Sequence, residues 1–545
     1  MTSKVFPELA LINGRILTVN ERFDIAEAIA VRGDRIIAVG SNAEIKNKIT
    51  EETEVIDLDG RTVLPGIFDS HLHMLGTGLS MLMVDCRTPP MKSIEDIKHA
   101  VKERAESLKP GEWVEGRGWD QAKLAEHRNP NRWDLDDVAP NNPVFLTRTC
   151  GHVVVVNSKA LEISGIDEDT PQPVGGTIGR DENGELTGLL LEQPAFILVK
   201  KNIPPPDLEK KVEAISMASK AFSEAGITSV VEAGITEEEM RAYQIAQQRG
   251  LLTVRVNMML RGVVEDESEE ESLRRIRNFS MITGFGNDMI RFLGLKLLID
   301  GGIGGRTALL REPYENERNC GILTMPEDKL QRLVDEANAQ GMNIGVHCAG
   351  GRAMDIVLKT FENTNEIKPI KGRRFSIIHA YQPNEENFEQ CRKLGVCVAS
   401  QPSFLYYLGD SYYENVGSDR SKWLKPHRAW LDNKILVAAG TDSPVTPYLP
   451  FPSLWASISR RTEIKGIQLG TDQRVTREEA IRMYTMNGAY LAFRENDLGS
   501  IEPGKLADLV IIDRDILKCP EDEIKDIKVV KTILGGKTVY CSQPS

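Results

Sequence analysis

Eight strand-length apolar runs, most of them followed by a polar, helix-length segment, constrain this chain more than any other feature. The runs are Ile67–His73, Thr228–Ala233, Thr253–Leu260, Ile290–Leu298, Asn343–His347, Phe375–His379, Val396–Ser400 and Ile435–Asp442. Helical periodicity falls between them at 207–225, 237–249, 266–281, 327–340, 352–363 and 384–394. Strands buried on both faces of a parallel sheet read as near-continuous apolar runs, and eight in βα order is the number that closes a barrel. The fold class expected is therefore α/β, a (β/α)8 TIM barrel across residues 65–490.

Two further regions do not follow that rhythm. Residues 8–64 alternate short β-rich pieces broken by Asn-Gly, Arg-Gly-Asp and Asp-Gly, a hairpin pattern, and the C-terminal stretch from about residue 491 returns to the same style. Chain termini often lie close together, so residues 1–64 and 491–545 are expected to form one small sheet domain. Residues 84–205 show short strands, Pro-rich turns and no clear βα repeat, and read as an insertion over the barrel mouth. The charged stretch Glu265–Glu271 reads as a solvated helix face.

Charge and cysteine usage narrow the function classes. Lys and Arg number 67 against 80 Asp and Glu, a formal charge of −13, so no basic field exists to recruit nucleic acid or an anionic membrane. The eight cysteines (86, 150, 320, 348, 391, 397, 519 and 541) form no C-x-x-C pair and no disulfide framework, which points to a reducing compartment. The N-terminal stretch lacks a basic segment followed by an apolar one and a small-residue cleavage site, and no run is long enough to span a bilayer. A cytoplasmic location and a small-molecule partner are the expectations.

The chemistry concentrates at strand ends. Of the eight histidines, His71, His73, His347 and His379 close predicted strands. His71 and His73 stand at i and i+2, so both imidazoles leave the same face and enter the barrel at its catalytic end. Two adjacent neutral imidazoles suit a divalent metal, although H-x-H alone is equally met by core histidines bonded to carbonyls. His347 and His379 each close an apolar run, where a polar group is costly without a partner. All four share one predicted rim, which favours a metal site over four separate core histidines. Cys348 faces the opposite way and reads as packing. Asp442, at the end of the eighth run, is a ligand, a general base or a turn residue. Lys296 lies among leucines in mid-strand. It is either an ion-paired cation, for instance with Asp300, or a lysine whose amine carries a carbamate able to bridge two metals. The glycine run Gly301–Gly305 with Arg306 reads as a flexible loop near the mouth, since no clear helix start follows it.

PGIFDSHLH, Lys296, His347, His379 and the TDS containing Asp442 resemble, in order and strand placement, the metal ligands of the amidohydrolase superfamily. GSIEPGKLADLVIID resembles the point where that superfamily re-enters a β-sandwich shared with the N-terminus. GWD (Gly118–Asp120), GHVVVVNSKAL (Gly151–Leu161), GGTIGRDENGELTGLLLE (Gly175–Glu192), KLLIDGGIGGRTA (Lys296–Ala308), VHCAGGRAMD and GTDSPV resemble the branch (amidohydrolase family 3) containing N-substituted formamide deformylases.

The resemblance implies hydrolysis of a non-peptide amide- or formamide-type carbon–nitrogen bond by metal-activated hydroxide. His71 and His73 would hold the first metal, and His347 and His379 a second or the rest of the first. A carbamate on Lys296 would bridge them, with Glu192 or Glu232 as alternative carboxylates. Asp442 would orient the water, take its proton and pass it to the leaving nitrogen. Zinc, one or two ions per chain, suits the ligands best, with manganese or iron as alternatives. The resemblance also implies a homodimer. His152, Arg148, Trp119 and Asp120 of the insertion, together with Arg306, are candidates for touching substrate; the alternative for Trp119 is to plug the insertion's own core, and for Arg148 to pair with an acid. A lactone or ester hydrolase, a lyase, an isomerase or a non-catalytic scaffold would carry the same residues.

Overall fold

The computed structural model describes residues 6–88, 90–121, 123–148, 151–173, 176–264 and 267–542, with only the backbone of Gln193. Cys150, Gly175 and Glu265, named above, lie outside them. The chain forms two compact units, one of Gly78–Ala214 and one of the remaining described residues.

The larger unit contains the barrel. Its strands are β1 (Ile67–Leu72), β2 (Ile227–Ile235), β3 (Arg255–Arg261), β4 (Ile290–Leu298), β5 (Asn343–Cys348), β6 (Ser376–His379), β7 (Cys397–Ser400) and β8 (Val437–Ala439). They pair in parallel and in sequence order from β1 to β8. This is a (β/α)8 TIM barrel. β2 is buried at all nine positions, as expected of a strand covered on both faces. The intervening helices begin where short polar side chains can satisfy free amides. Thr236 with Glu239 and Ser268 with Glu271 form reciprocal capping boxes at Glu237–Gln248 and Glu269–Asn278.

Closure at the β8–β1 seam shapes the site. β8 is shorter than the expected Ile435–Asp442 because the backbone turns away after Ala439. Gly440 lies so close to β1 that a Cβ there would fall 2.6 Å from both the His71 nitrogen and Asp69 Oδ1, so only glycine fits. Beyond it, the Asp442 amide donates to the His71 carbonyl (2.8 Å) and the His73 amide to the Ser443 carbonyl (2.8 Å). The seam therefore brings the H-x-H pair and Asp442 together by main-chain bonds.

Strands from both ends of the chain share one sheet, in which Thr62–Pro65 pairs antiparallel with Leu509–Ile512. That six-stranded sheet and a four-stranded one containing Leu9–Ile12 enclose a common apolar core of Leu11, Ile16, Ile29, Val63, Ile511 and Ile533. Arg255 at the start of β3 donates to both carboxylate oxygens of Asp508 (2.7 and 2.8 Å), a buried bidentate pair that ties this sheet to the barrel.

The smaller unit corrects the expectation that no βα repeat exists there. Val84–Asp85, Val114–Arg117 and Val144–Thr147 are parallel neighbours, with helices Ile94–Glu106 and Arg132–Asp136 between them. Strands of two to four residues are too short to stand out from turns in a sequence. Val153–Val156, Leu186–Leu191 and Thr177–Arg180 extend the sheet antiparallel. Among the described residues no helix is long and apolar enough to cross a membrane.

Candidate metal centre

All five strand-end residues converge at one rim of the barrel. Asp442 Oδ1 lies 3.5 Å from His71 Nε2 and 3.3 Å from His73 Nε2, and Asp442 Oδ2 lies 3.9 Å from His379 Nε2. The His347 and His379 rings are 4.2 Å apart, and the His71 ring is 5.6 Å from both His73 and His379. Ligand atoms of His71, His73 and Asp442 all fall within 4.8 Å of one another. Two of the five depart from ordinary backbone geometry: His379 has φ +76° and Asp442 φ +57°, left-handed conformations that non-glycine residues adopt at some expense. Both turn sharply at their strand ends, which aims their side chains across the opening.

The donor set fits a divalent cation. Asp442 Oδ1 is buried and accepts no hydrogen bond, an orphan that a cation would satisfy. His347 Nε2 faces the Gly301 carbonyl at 3.0 Å. A carbonyl only accepts, so the proton sits on Nε2 and Nδ1 keeps its lone pair. Burial pushes His71 down to about 4 and, assisted by the Lys296 charge, His347 down to about 3, leaving both imidazoles neutral and able to ligate at neutral pH. Burial alone would raise the Asp442 carboxyl, but His71 and His73 beside it hold it well below the usual range.

Carboxylates missing from the sequence reading, or given another role there, surround these ligands. Asp69 accepts from the Thr441 hydroxyl (2.7 Å) and the His71 amide (3.1 Å), stapling β1 to the loop after β8, and burial raises it to about 7. It stands two residues before His71, on the same strand face, so the i−2 spacing was an available signal. Glu232 on β2 accepts from the Met74 amide, and burial raises it to about 7 despite the facing His73. Asp300 accepts from the amides of Leu309 (2.8 Å), Ala349 (2.9 Å) and Gly350 (2.7 Å), so it pins two rim loops. It does not form the ion pair with Lys296 considered above. Among the described residues no carboxylate lies within 4.0 Å of the Lys296 amine, which burial lowers to about 8.

The candidate substrate contacts divide. Trp119 is fully buried in the insertion's core with Cys86, Ile97 and Val101, and its Nε1 donates to Asn129 Oδ1 (3.2 Å). Asp120 and Arg148 pair at 3.0 Å, and Arg148 also donates to Gln121. His152 Nδ1 lies 2.9 Å from Glu192 Oε2. Arg306 pairs with Glu317 and donates to Asn415 (2.9 Å), which braces the Gly301–Gly305 loop.

A parallel eight-stranded barrel with four histidines and an aspartate gathered at its C-terminal rim has the donor set of a metal-dependent site at the end where such barrels carry their chemistry. The chain belongs to the amidohydrolase family, whose model matches residues 54–540. It is 29% identical over 538 residues to the N-substituted formamide deformylase of Arthrobacter pascens, covering 98% of each chain. It is 30% identical to Protein LONG AFTER FAR-RED 3 of Arabidopsis thaliana, over 98% of this chain and 92% of that one. The crystal structure of an uncharacterized metal-dependent hydrolase from Pyrococcus furiosus superposes with a TM-score of 0.76 at 30% identity, over 94% of this chain and all of that one.

Proposed function

We propose that this protein hydrolyses a non-peptide carbon–nitrogen bond of the amide or formamide type. The observation that carries the reading is the gathering of four histidines around a buried, unpartnered Asp442 oxygen. Full-length likeness to a formamide deformylase supports the bond class. His71, His73 and Asp442 would hold one divalent cation, zinc by ligand type, and His347 and His379 would complete that site or hold a second ion. A bound cation supplies Lewis-acid polarisation of a carbonyl and a more acidic water.

The chain's own groups do the rest. Asp442 accepts a proton from the attacking water and returns it to the leaving nitrogen, which departs as a neutral amine. His71 and His347, neutral at working pH, each keep one ring nitrogen unprotonated and able to ligate. Lys296 would add carbon dioxide through its uncharged amine, releasing a proton, and serve as a carbamate ligand; the lack of a carboxylate within 4.0 Å among the described residues supports this reading. In the insertion, the Glu192-oriented His152 is the strongest candidate for contacting substrate.

Incubation with N-substituted formamides, carboxamides and lactones tests this. The expected result is equimolar formate and amine from a formamide, abolished by His71→Ala. Turnover of lactones alone would overturn the bond class, and metal-loaded protein that converts none of the panel would remove the hydrolytic reading of it.

A further inference from the structure

Behind His379 lies a buried pair that sequence reasoning passed over. Gln401 follows β7 with no accessible surface, and Lys425 is 1% exposed. Among the described residues no carboxylate lies within 4.0 Å of the Lys425 amine. It lies instead over the rings of Tyr381 (4.1 Å) and Phe404 (5.1 Å). The amine donates to the Gln401 side-chain oxygen (3.1 Å) and to the His379 carbonyl (3.3 Å), and that same Gln401 oxygen lies 2.7 Å from His379 Nδ1.

We infer that Gln401 and Lys425 are positioning residues that set the His379 tautomer and so present its Nε2 lone pair to a cation. The inference rests on the reading of this rim as a metal centre. The argument is one of donors and acceptors. The Lys425 amine sits at donor distance from one end of the Gln401 amide. The other end of the amide faces the Ala399 carbonyl at 3.1 Å, which only accepts, so that atom is nitrogen. That contact fixes the amide orientation and turns its oxygen to His379 and to the Lys425 amine. An oxygen facing His379 Nδ1 requires the proton on Nδ1. Nε2, 3.9 Å from Asp442 Oδ2, is then the unprotonated nitrogen. A flipped amide would demand the opposite tautomer and would point an N–H at the cation. Phe404, stacked on the His379 ring at 5.9 Å, holds the ring plane.

The test is Zn2+ affinity, measured by chelator competition on metal-stripped full-length protein, with thermal unfolding of each metal-free variant alongside. Gln401→Leu and Lys425→Met are expected to weaken binding about 10–100-fold, the usual effect of losing the group that orients a ligating histidine. Gln401→Glu should bind at least as tightly as the parent, because a carboxylate accepts whichever way it faces. For the same reason Gln401→Glu combined with Lys425→Met should recover most of the affinity lost in Lys425→Met alone, which a packing role for lysine would not produce. Should Lys425→Met fail to fold, the contrast of Gln401→Leu with Gln401→Glu decides. Parent-like affinity in Gln401→Leu, or no recovery in the double variant, overturns the inference while tight binding lost in His379→Ala keeps the metal centre. If the parent binds Zn2+ no better than His71→Ala does, the metal reading itself fails.

Discussion

The barrel rim and the insertion treat their polar residues in opposite ways. At the rim, His71, His379, Asp442, Gln401 and Lys425 are all at most 5% exposed, and one Asp442 oxygen is left without a partner. In the insertion the polar residues singled out by sequence are already satisfied by one another: Asp120 with Arg148, His152 with Glu192. Buried polar groups are costly unless bonded, so the unbonded Asp442 oxygen among these buried groups is one that a bound cation would satisfy. The insertion, too, carries a strained position. Glu192, the partner of His152, has φ +65° and ψ 157°, a backbone region essentially reserved for glycine. If the insertion contributes to chemistry, that dyad is where its backbone strain is concentrated.

The sharpest way to break this contrast is Asp442→Asn. The amide keeps the shape but is not a base, and kcat is expected to fall about 10²–10⁴-fold, the range for a lost general base. Steady-state kinetics on a formamide would measure it, with circular dichroism confirming the fold. An unchanged kcat would remove Asp442 from the proton path and leave it a ligand or a structural group.

Next in size is Trp119→Ala. Deleting a fully buried indole costs about 3–5 kcal/mol. Since Trp119 packs within the core of its own unit, the loss should appear as faster hydrogen exchange across residues 78–214, with 6–77 and 215–542 unaffected. Uniform acceleration across the chain would show the two units to be one cooperative body. The converse experiment is zinc addition. At a free concentration 100 times its Kd, a ligand that binds only the folded state adds about 2.7 kcal/mol. Slowed exchange is expected around β1, β5, β6 and the Asp442 loop, and none in the Val84–Leu191 sheet. Protection confined to the insertion would relocate the metal.

The same contrast explains which features were legible in the sequence. The barrel strands were, because long apolar runs carry their own signal, and so were four histidines and an aspartate closing four of them. The Val84–Thr147 parallel strands were not, because two to four residues such as Val-Glu-Gly-Arg lack any period to detect. The end of the eighth strand was overrun, since the sequence does not record that Gly440 must touch β1. Gln401 and Lys425 were invisible for another reason. Nothing in SQPSF or WLKPH marks a buried pair, and only folding brings two residues 24 positions apart against His379. Trp119 could be read either way until its burial was known.

The smallest expected effect tests the insertion's own electrostatics. Glu115 lies half-buried in the strand Val114–Arg117, and burial raises its carboxyl above the ordinary value even though Lys210 and Lys200 pull the other way. A raised carboxyl means that the folded state holds its proton more tightly than the unfolded one. Below the ordinary glutamate pKa both states are protonated and the residue contributes nothing. As pH climbs through the interval between the two pKa values, the unfolded state ionises first and stability drains away, reaching a constant deficit once the folded state has ionised too. Glu115→Gln removes that deficit. The variant should therefore be more stable than the parent in urea unfolding at neutral pH, and the gap should close on acidification to about pH 4, near the ordinary glutamate value. A variant less stable than the parent at neutral pH, with the difference vanishing on acidification, would mean that the two lysines outweigh burial, and would place this carboxylate among the insertion's paired groups.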